Sequence, residues 1–242
     1  MAHFYLNELV DSATVGETLS ITGAEARHAV TVSRLAVGEP VSIGNGRGLL
    51  ARGTIVTATP TELAITVAEV EATDRPMPAI VLAQALAKGD RDELAIQAAT
   101  ELGVDAVVPW AAARSISRWE GAKITKGHER WSAVVREATK QSIRSWIPDV
   151  LDLASTKQLA RLADSTRMLV LDPLASESLA SLELDDRDIV LVVGPEGGVS
   201  PQEVEVLTSA GATLVRLGAG VLRTSTAGPA AIAVLNVALG RW

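Results

Sequence analysis

Residues 188–235 read DIVLVVGPEGGVSPQEVEVLTSAGATLVRLGAGVLRTSTAGPAAIAVL, two apolar runs that each lead into a glycine-rich loop and then a helix. Ile189–Val193 is short, uninterrupted and rich in β-branched residues, the pattern of a buried strand. Gly194-Pro195-Glu196-Gly197-Gly198 follows as a loop. Ser200-Pro201-Gln202-Glu203 then starts a helix, with Ser as N-cap, Pro at the first helical position and Glu placed to close a capping box. Thr213–Leu217 repeats the strand, Gly218-Ala219-Gly220 repeats the loop, and a last apolar helix is expected from about Pro229 to Leu239. An open α/β sheet binds ligands in loops at the carboxyl ends of neighbouring strands, which makes these two loops the candidate site.

Moving upstream, strands and helices alternate. Strands are expected at Ala79–Ala83, Val104–Pro109 and Met168–Asp172, with helices at Asp90–Leu102, about Lys126–Ile143 and Leu159–Ala163. In the first of these helices Asp90 is the expected cap and Leu94, Ala98 and Leu102 the inner stripe. Such alternation argues a mainly parallel α/β sheet. Residues 72–78, with two prolines and no periodicity, read as a linker, so the expected domains are 1–72 and 73–242. The first is mostly β, from short runs at Phe4–Leu6, Thr18–Ile21, Pro40–Ile43, Leu49–Val56 and Glu62–Val70, with a hairpin-like turn at Gly44–Gly48. One helix interrupts it, about Ala24–Leu35, with Ala26, Val30, Ser33 and Val37 expected inward and Arg27, His28 and Arg34 on an outer face.

The chain has 242 residues, 48% of them hydrophobic, enough to bury a full core. It has no cysteine, which excludes disulfides, thiolate metal sites and a cysteine nucleophile. Its three histidines (3, 28 and 128) all precede the glycine loops, so a histidine triad is excluded there and a metal is not expected. No signal-peptide pattern and no run of about 18 apolar residues occurs, so a cytoplasmic protein without a membrane span is expected. The net charge of −7 argues against a generally basic nucleic-acid binder. It is unevenly spread, however: from Arg114 to Ile147 eight Lys/Arg face three Glu, and three of the five Trp fall in the same stretch. A basic, aromatic-bearing segment in an acidic protein is a candidate nucleic-acid surface, with core packing an equal alternative for each Trp.

The loops lack the G-x-x-x-x-G-K-[ST] and G-x-G-x-x-G signatures of phosphate cradles, and Glu196 places a carboxylate where it would repel a phosphate. A ligand with hydroxyls and a positive centre, such as S-adenosylmethionine, suits an acidic glycine loop better. A tight turn with a surface glutamate fits the spacing equally well. Arg223, in Val221-Leu222-Arg223-Thr224-Ser225-Thr226 after the second loop, is placed to anchor a carboxylate, a phosphate or a developing anion. An ordinary ion pair is the alternative reading.

GPEGGVSPQEVE (194–205) together with RLGAGVLRTSTA (216–227) resembles the paired loops of the RsmE family, ribosomal RNA methyltransferases that modify N3 of one uridine in small-subunit (16S) RNA. RHAVTVSRLAVGEPV (27–41), KGDRDELAIQAATELGV (88–104), RSISRW (114–119) and RWSAVVREATKQSIRSWIP (130–148) resemble further segments of that family in the same order, so the similarity spans nearly the whole chain. It implies an amino-terminal PUA-like β-barrel domain for RNA, a carboxy-terminal SPOUT-type parallel α/β domain with a trefoil knot, and a homodimer. It also implies a cofactor pocket for S-adenosylmethionine made by Leu171, Gly194, Pro195, Glu196, Gly197, Leu217, Gly218, Val221 and Leu222. Arg223 and Glu196 are the candidate catalytic residues; Arg27, His28, Arg34, Arg91, Arg114, Gln141 and Arg144 are the candidate RNA contacts. The chain departs from the family pattern at Ala2, usually Arg, at Ser225, usually an acid, and at Ala112-Ala113-Arg114-Ser115, which replaces Ser-Glu-Arg-Ser. Rival readings are a ribose 2′-O RNA methyltransferase of the same superfamily and a non-catalytic RNA-binding assembly protein.

Overall fold

The structure, a computed structural model, describes residues 3–242; the departure at Ala2 lies outside them. The chain divides into two compact units, one formed by residues up to Arg75 with Thr139–Ile147, the other by Pro76–Ala138 with Pro148–Trp242.

The first unit carries β1 (Phe4–Leu6), β2 (Thr18–Thr22), α1 (Gly23–Arg27), β3 (Pro40–Gly44), β4 (Leu49–Ala58) and β5 (Glu62–Ala72). The strands form one sheet in the order β1-β3-β4-β5-β2, antiparallel except for the β1–β3 pair. Its core gathers Tyr5, Ile21, Ile43, Ile55, Leu63 and Ile65. At the β3–β4 turn the Asn45 carboxamide accepts the N–H groups of Arg47 and Leu49 and donates to the Val10 carbonyl. The helix differs from the sequence expectation. After Arg27 the chain widens into a π turn over His28–Val32 and ends at Arg34 in the left-handed conformation (φ 58°). Ala26 faces the core as expected, joined by Ala29 and Leu35, while Val37, beyond the helical segment, is 63% exposed. Arg34 therefore lies beyond the helix instead of on its outer face.

Residues 139–147 complete this unit. Trp146 and Arg47 form an antiparallel bridge, the Ile147 N–H donates to the Gly46 carbonyl at 2.9 Å, and Trp146 Nε1 donates to the Thr73 carbonyl at 2.9 Å. Lys140 pairs with Glu25 of α1 at 3.1 Å, both largely buried.

The second unit carries β6 (Ile80–Ala85), α2 (Arg91–Glu101), β7 (Ala106–Trp110), the long α3 (Ala122–Gln141), whose last residues join the first unit, and β8 (Asp149–Val150). Then come α4 (Thr156–Leu162), β9 (Arg167–Leu171), β10 (Glu177–Ser178), β11 (Ile189–Val193), α5 (Pro201–Ser209), β12 (Thr213–Arg216) and α6 (Thr224–Ala238). Seven strands form a wholly parallel sheet in the order β10-β12-β9-β11-β6-β7-β8. Every residue of β11 is buried, as a central strand covered on both faces requires. Val190 and Val192 join Ala83, Val108, Leu159, Met168 and Leu207 in one core, and α2 and α6 pack together over the other face. Each fully buried Val or Leu contributes about 1.5–3 kcal/mol of transfer free energy.

In α2 the buried residues are Asp92, Ala95, Ile96, Ala99 and Thr100, not the expected stripe, and Leu94 is 56% exposed. Asp90 is left-handed (φ 57°) and makes no side-chain cap; the Asp92 carboxylate instead accepts the N–H groups of Ala87 and Glu93. Burial pushes the Asp92 carboxyl above its ordinary range, and those hydrogen bonds only partly offset it. The last helix begins at Thr224, five residues earlier than its apolar pattern indicates.

Candidate functional site

β12, β9 and β11 are consecutive in the sheet, and the chain leaves the carboxyl end of each through a loop. The three loops line one cleft of ≈ 560 Å³, within the range of small-molecule sites. From the end of β9 come Leu171, Asp172, Pro173 and Leu174; after β11 come Gly194, Pro195, Glu196, Gly198 and Val199; after β12 come Leu217, Gly218, Gly220, Val221, Leu222 and Arg223. Sequence reasoning named two of these loops. The third is marked only by Leu171 and Asp172, because Pro173 and Leu174 carry no motif.

The first glycine loop is tied down on several sides. Ser200 accepts the Glu203 N–H and Glu203 accepts the Ser200 N–H, so the expected capping box is formed at the start of α5. The same Glu203 carboxylate accepts the Ala113 N–H at 2.8 Å and the Thr156 hydroxyl at 3.0 Å. Burial alone would raise the Glu203 carboxyl, but the bonds from Ala113, Ser200 and Thr156 outweigh it and hold the group below the ordinary carboxylate range. Gly194 has no room for a side chain, since a Cβ there would meet Val199 Cγ2 at 2.9 Å. The Thr224 hydroxyl donates to the Gly194 carbonyl at 2.7 Å and accepts from Gln84 Nε2 at 2.9 Å, which joins β6, the loop and the start of α6.

Glu196 Oε1 accepts the Lys88 N–H at 3.1 Å and Arg91 Nη1 at 2.9 Å. Partial desolvation pushes the Glu196 carboxyl up, but the bonds from its own backbone, Arg91 and Lys88 win and hold it below the ordinary range. It is therefore an ionised, pinned carboxylate, poorly suited to take a proton. Arg223 sits at the N-cap of α6 in extended backbone, exposed and lining the cleft; among the described residues no side-chain hydrogen bond or ion pair engages it. Arg216 also lines the cleft but is spent on the Ala175 and Ser176 carbonyls.

Of the nine residues expected to hold a cofactor, eight line the cleft: Leu171, Gly194, Pro195, Glu196, Leu217, Gly218, Val221 and Leu222. Gly197 does not; its carbonyl turns to Arg114. Both candidate catalytic residues line it, as does Arg91 from the RNA-contact set. Arg27, His28, Arg34, Gln141 and Arg144 belong to the first unit, where the Lys140–Glu25 pair sets the 139–147 segment beside α1. Arg114 belongs to the second unit. Two neighbours went unread in the sequence, Thr224 and Gln84, because a lone Thr and a lone Gln in apolar surroundings carry no pattern.

The family model described as RNA methyltransferase domain matches residues 73–236, and that described as RNA methyltransferase PUA domain matches residues 21–68. Ribosomal RNA small subunit methyltransferase E of Mycobacterium bovis is 41% identical over 99% of this chain and 92% of its own length. The chain belongs to that methyltransferase family. The Bacillus subtilis member is 32% identical, with 94% of this chain and 93% of that protein covered. A crystal structure of the Neisseria gonorrhoeae member bound to S-adenosyl methionine superposes with a TM-score of 0.88 at 27% identity, covering 98% of each chain. The fold is accordingly the SPOUT-type parallel α/β sheet with a PUA-like domain before it, as the resemblance implies.

The cleft fits S-adenosylmethionine by its own chemistry. Leu171, Pro195, Leu217, Val221 and Leu222 supply an apolar slot for a flat base. Asp172 and Glu196, the latter paired with Arg91, line it with carboxylates, a polarity suited to hydroxyls and a positive centre. A Cβ built on Gly218 meets nothing within 4 Å, so the absent side chain leaves open space against which a ligand has direct access to backbone.

Proposed function

We propose that this protein methylates N3 of a specific uridine in 16S ribosomal RNA, using S-adenosylmethionine, and that it works as a homodimer in the cytoplasm. The observation that carries the reading is Arg223: an exposed guanidinium, uncommitted among the described residues, at the rim of an apolar, carboxylate-bearing cleft whose loops lack the phosphate-cradle signatures. When bound, the cofactor supplies a methyl group on a sulfonium centre, open to in-line displacement, so positioning provides much of the acceleration. The loops after β9, β11 and β12, the β11 loop pinned from several sides, hold the reactants in line. N3 of uracil must lose its proton, to Asp172 or a water, and the resulting charge spreads onto the ring oxygens before N3 takes the methyl and displaces the thioether. Arg223 supplies the positive charge that stabilises this negative charge. Glu196, with Oε1 already engaged by two donors, fixes the first loop and balances the positive centre, and proton removal is not assigned to it.

Residues 1–72 are proposed to hold RNA and 73–242 to carry the transfer, with the knot of the SPOUT superfamily in the second part. The candidate RNA contacts are Arg27, His28, Arg34, Gln141 and Arg144 in the first unit and Arg91 and Arg114 in the second. The uridine has to be exposed or flipped out of its stack to reach the cleft. The test is transfer of labelled methyl from S-adenosylmethionine to small-subunit RNA, followed by mass analysis of the nucleosides. N3-methyluridine is the expected product. Methyl on ribose overturns the base assignment, and absence of cofactor binding overturns the enzyme reading in favour of an RNA-binding assembly protein.

A further inference from the structure

Two arginines grip consecutive residues of the first glycine loop. Arg91, opening α2, donates to Glu196 Oε1, and Arg114, in the connection after β7, donates from Nη1 to the Gly197 carbonyl at 2.9 Å. A Cβ at Gly197 would lie 3.2 Å from Arg114 Cβ, so the missing side chain is what admits the arginine. The backbone under Arg114 is itself anchored. The Ala113 N–H is held by Glu203, which is buried in the first turn of α5, and Arg118 donates to the Ala112 and Ala113 carbonyls at 3.1 and 2.9 Å. A continuous strut thus runs from α5 through Ala113 and Arg114 to the loop that forms one wall of the cleft. Arg114 is exposed, and a guanidinium presents five N–H donors in a flat fork, of which one serves Gly197. The rest of the fork suits a phosphate oxygen pair.

We propose that Arg114 is a positioning residue that couples RNA to the cofactor: a backbone phosphate of RNA on its outer donors orders the side chain, which then holds the Gly197 carbonyl and with it the cofactor loop. The inference rests on the RNA and cofactor assignments above. Coupling of this kind is reciprocal, so RNA tightens the cofactor by the same factor as the cofactor tightens RNA.

Titration calorimetry of the full chain with S-adenosylhomocysteine, with and without 16S RNA, tests it. In the unaltered protein RNA tightens the cofactor product about fivefold or more. Arg114→Ala weakens it about fivefold without RNA, the loss of one charge-assisted bond at an exposed site, and abolishes the RNA effect. Arg114→Lys keeps one donor for Gly197 but no fork; it stays within about twofold of the unaltered affinity and loses most of the RNA effect. The lysine variant carries the test alone if the alanine variant does not fold. An RNA effect of unaltered size in these variants overturns the proposal, as does an alanine variant with unaltered cofactor affinity. If the unaltered protein binds the ligand and methylates RNA yet shows no RNA effect, this inference alone falls. If it binds no ligand at all, the functional reading falls with it.

Discussion

Replacing Glu203 tests the frame that holds the first loop. The residue is 6% exposed, and its carboxylate accepts from the Ser200 N–H through Oε2 and from both the Ala113 N–H and the Thr156 hydroxyl through Oε1. Glu203→Ala removes all three bonds. The cap is worth about 1 kcal/mol. The two bonds at Oε1, made to a charged acceptor but with donors that water reaches after truncation, together add about 2 kcal/mol. For a chain of this length a loss of about 3 kcal/mol lowers the melting temperature by about 6–12 °C. Glu203→Gln keeps an oxygen for Ala113 and Thr156 but turns an NH₂ toward the Ser200 N–H, so it loses the cap alone and about a third of that shift. The pH dependence has a definite sign. The folded carboxyl titrates below its ordinary 4.5, so its contribution is complete above that value and is lost as the pH falls through the folded value. Melting curves of the unaltered protein and the glutamine variant, recorded by circular dichroism, should stay separated near neutrality and converge in acid below about pH 4.5. A separation that does not change with pH, or an alanine variant that melts within about 2 °C of the unaltered protein, refutes the reasoning.

Arg223→Ala should lower kcat about 10²–10³-fold while S-adenosylhomocysteine affinity stays within about twofold; unchanged turnover in single-turnover methyl transfer removes Arg223 from the mechanism. Thr224→Val leaves the Gly194 carbonyl and Gln84 Nε2 without their shared partner, so stability should fall by about 2 kcal/mol in urea unfolding and cofactor affinity with it. Gly218→Ala places a methyl in open cleft space, so cofactor affinity should drop about tenfold by calorimetry with little change in melting temperature. RNA affinity should fall steeply with added salt if phosphates meet the basic residues; a flat response in filter binding excludes that surface.

The parts of this fold legible in the sequence are those governed by strong local chemistry. β11 occupies the expected Ile189–Val193, and the Ser200–Glu203 capping box forms as written, because β-branched runs and Ser-Pro-x-Glu have few alternatives. The inner face of α2 departs from the expected stripe because alanines lie on both sides of the helix. Leu94 is left outside while Thr100 is buried with its hydroxyl bonded to the Ile96 carbonyl. The helical segment gives way to a π turn at His28–Val32 and ends before Val37, which is left outside, and no residue type announces an extra residue in a helical turn. Within the candidate site, the glycine loops and Arg223 were legible as motifs. The bonds from Arg91 and Lys88 to Glu196, which make it a fixed anion, join residues more than a hundred positions apart and leave no local trace.

The first unit borrows residues 139–147 from far along the chain, and this has a bearing on its birth. While the ribosome is still adding the seventy-odd residues after Arg75, the Gly46–Gly48 turn lacks Ser145, Trp146 and Ile147, and Glu25 lacks Lys140. At about 5–20 residues per second, that interval is about 4–14 s. The amino-terminal unit is thus made first yet closed late, after β6, α2 and β7 have already emerged, so the two units mature as interleaved products of one translation event.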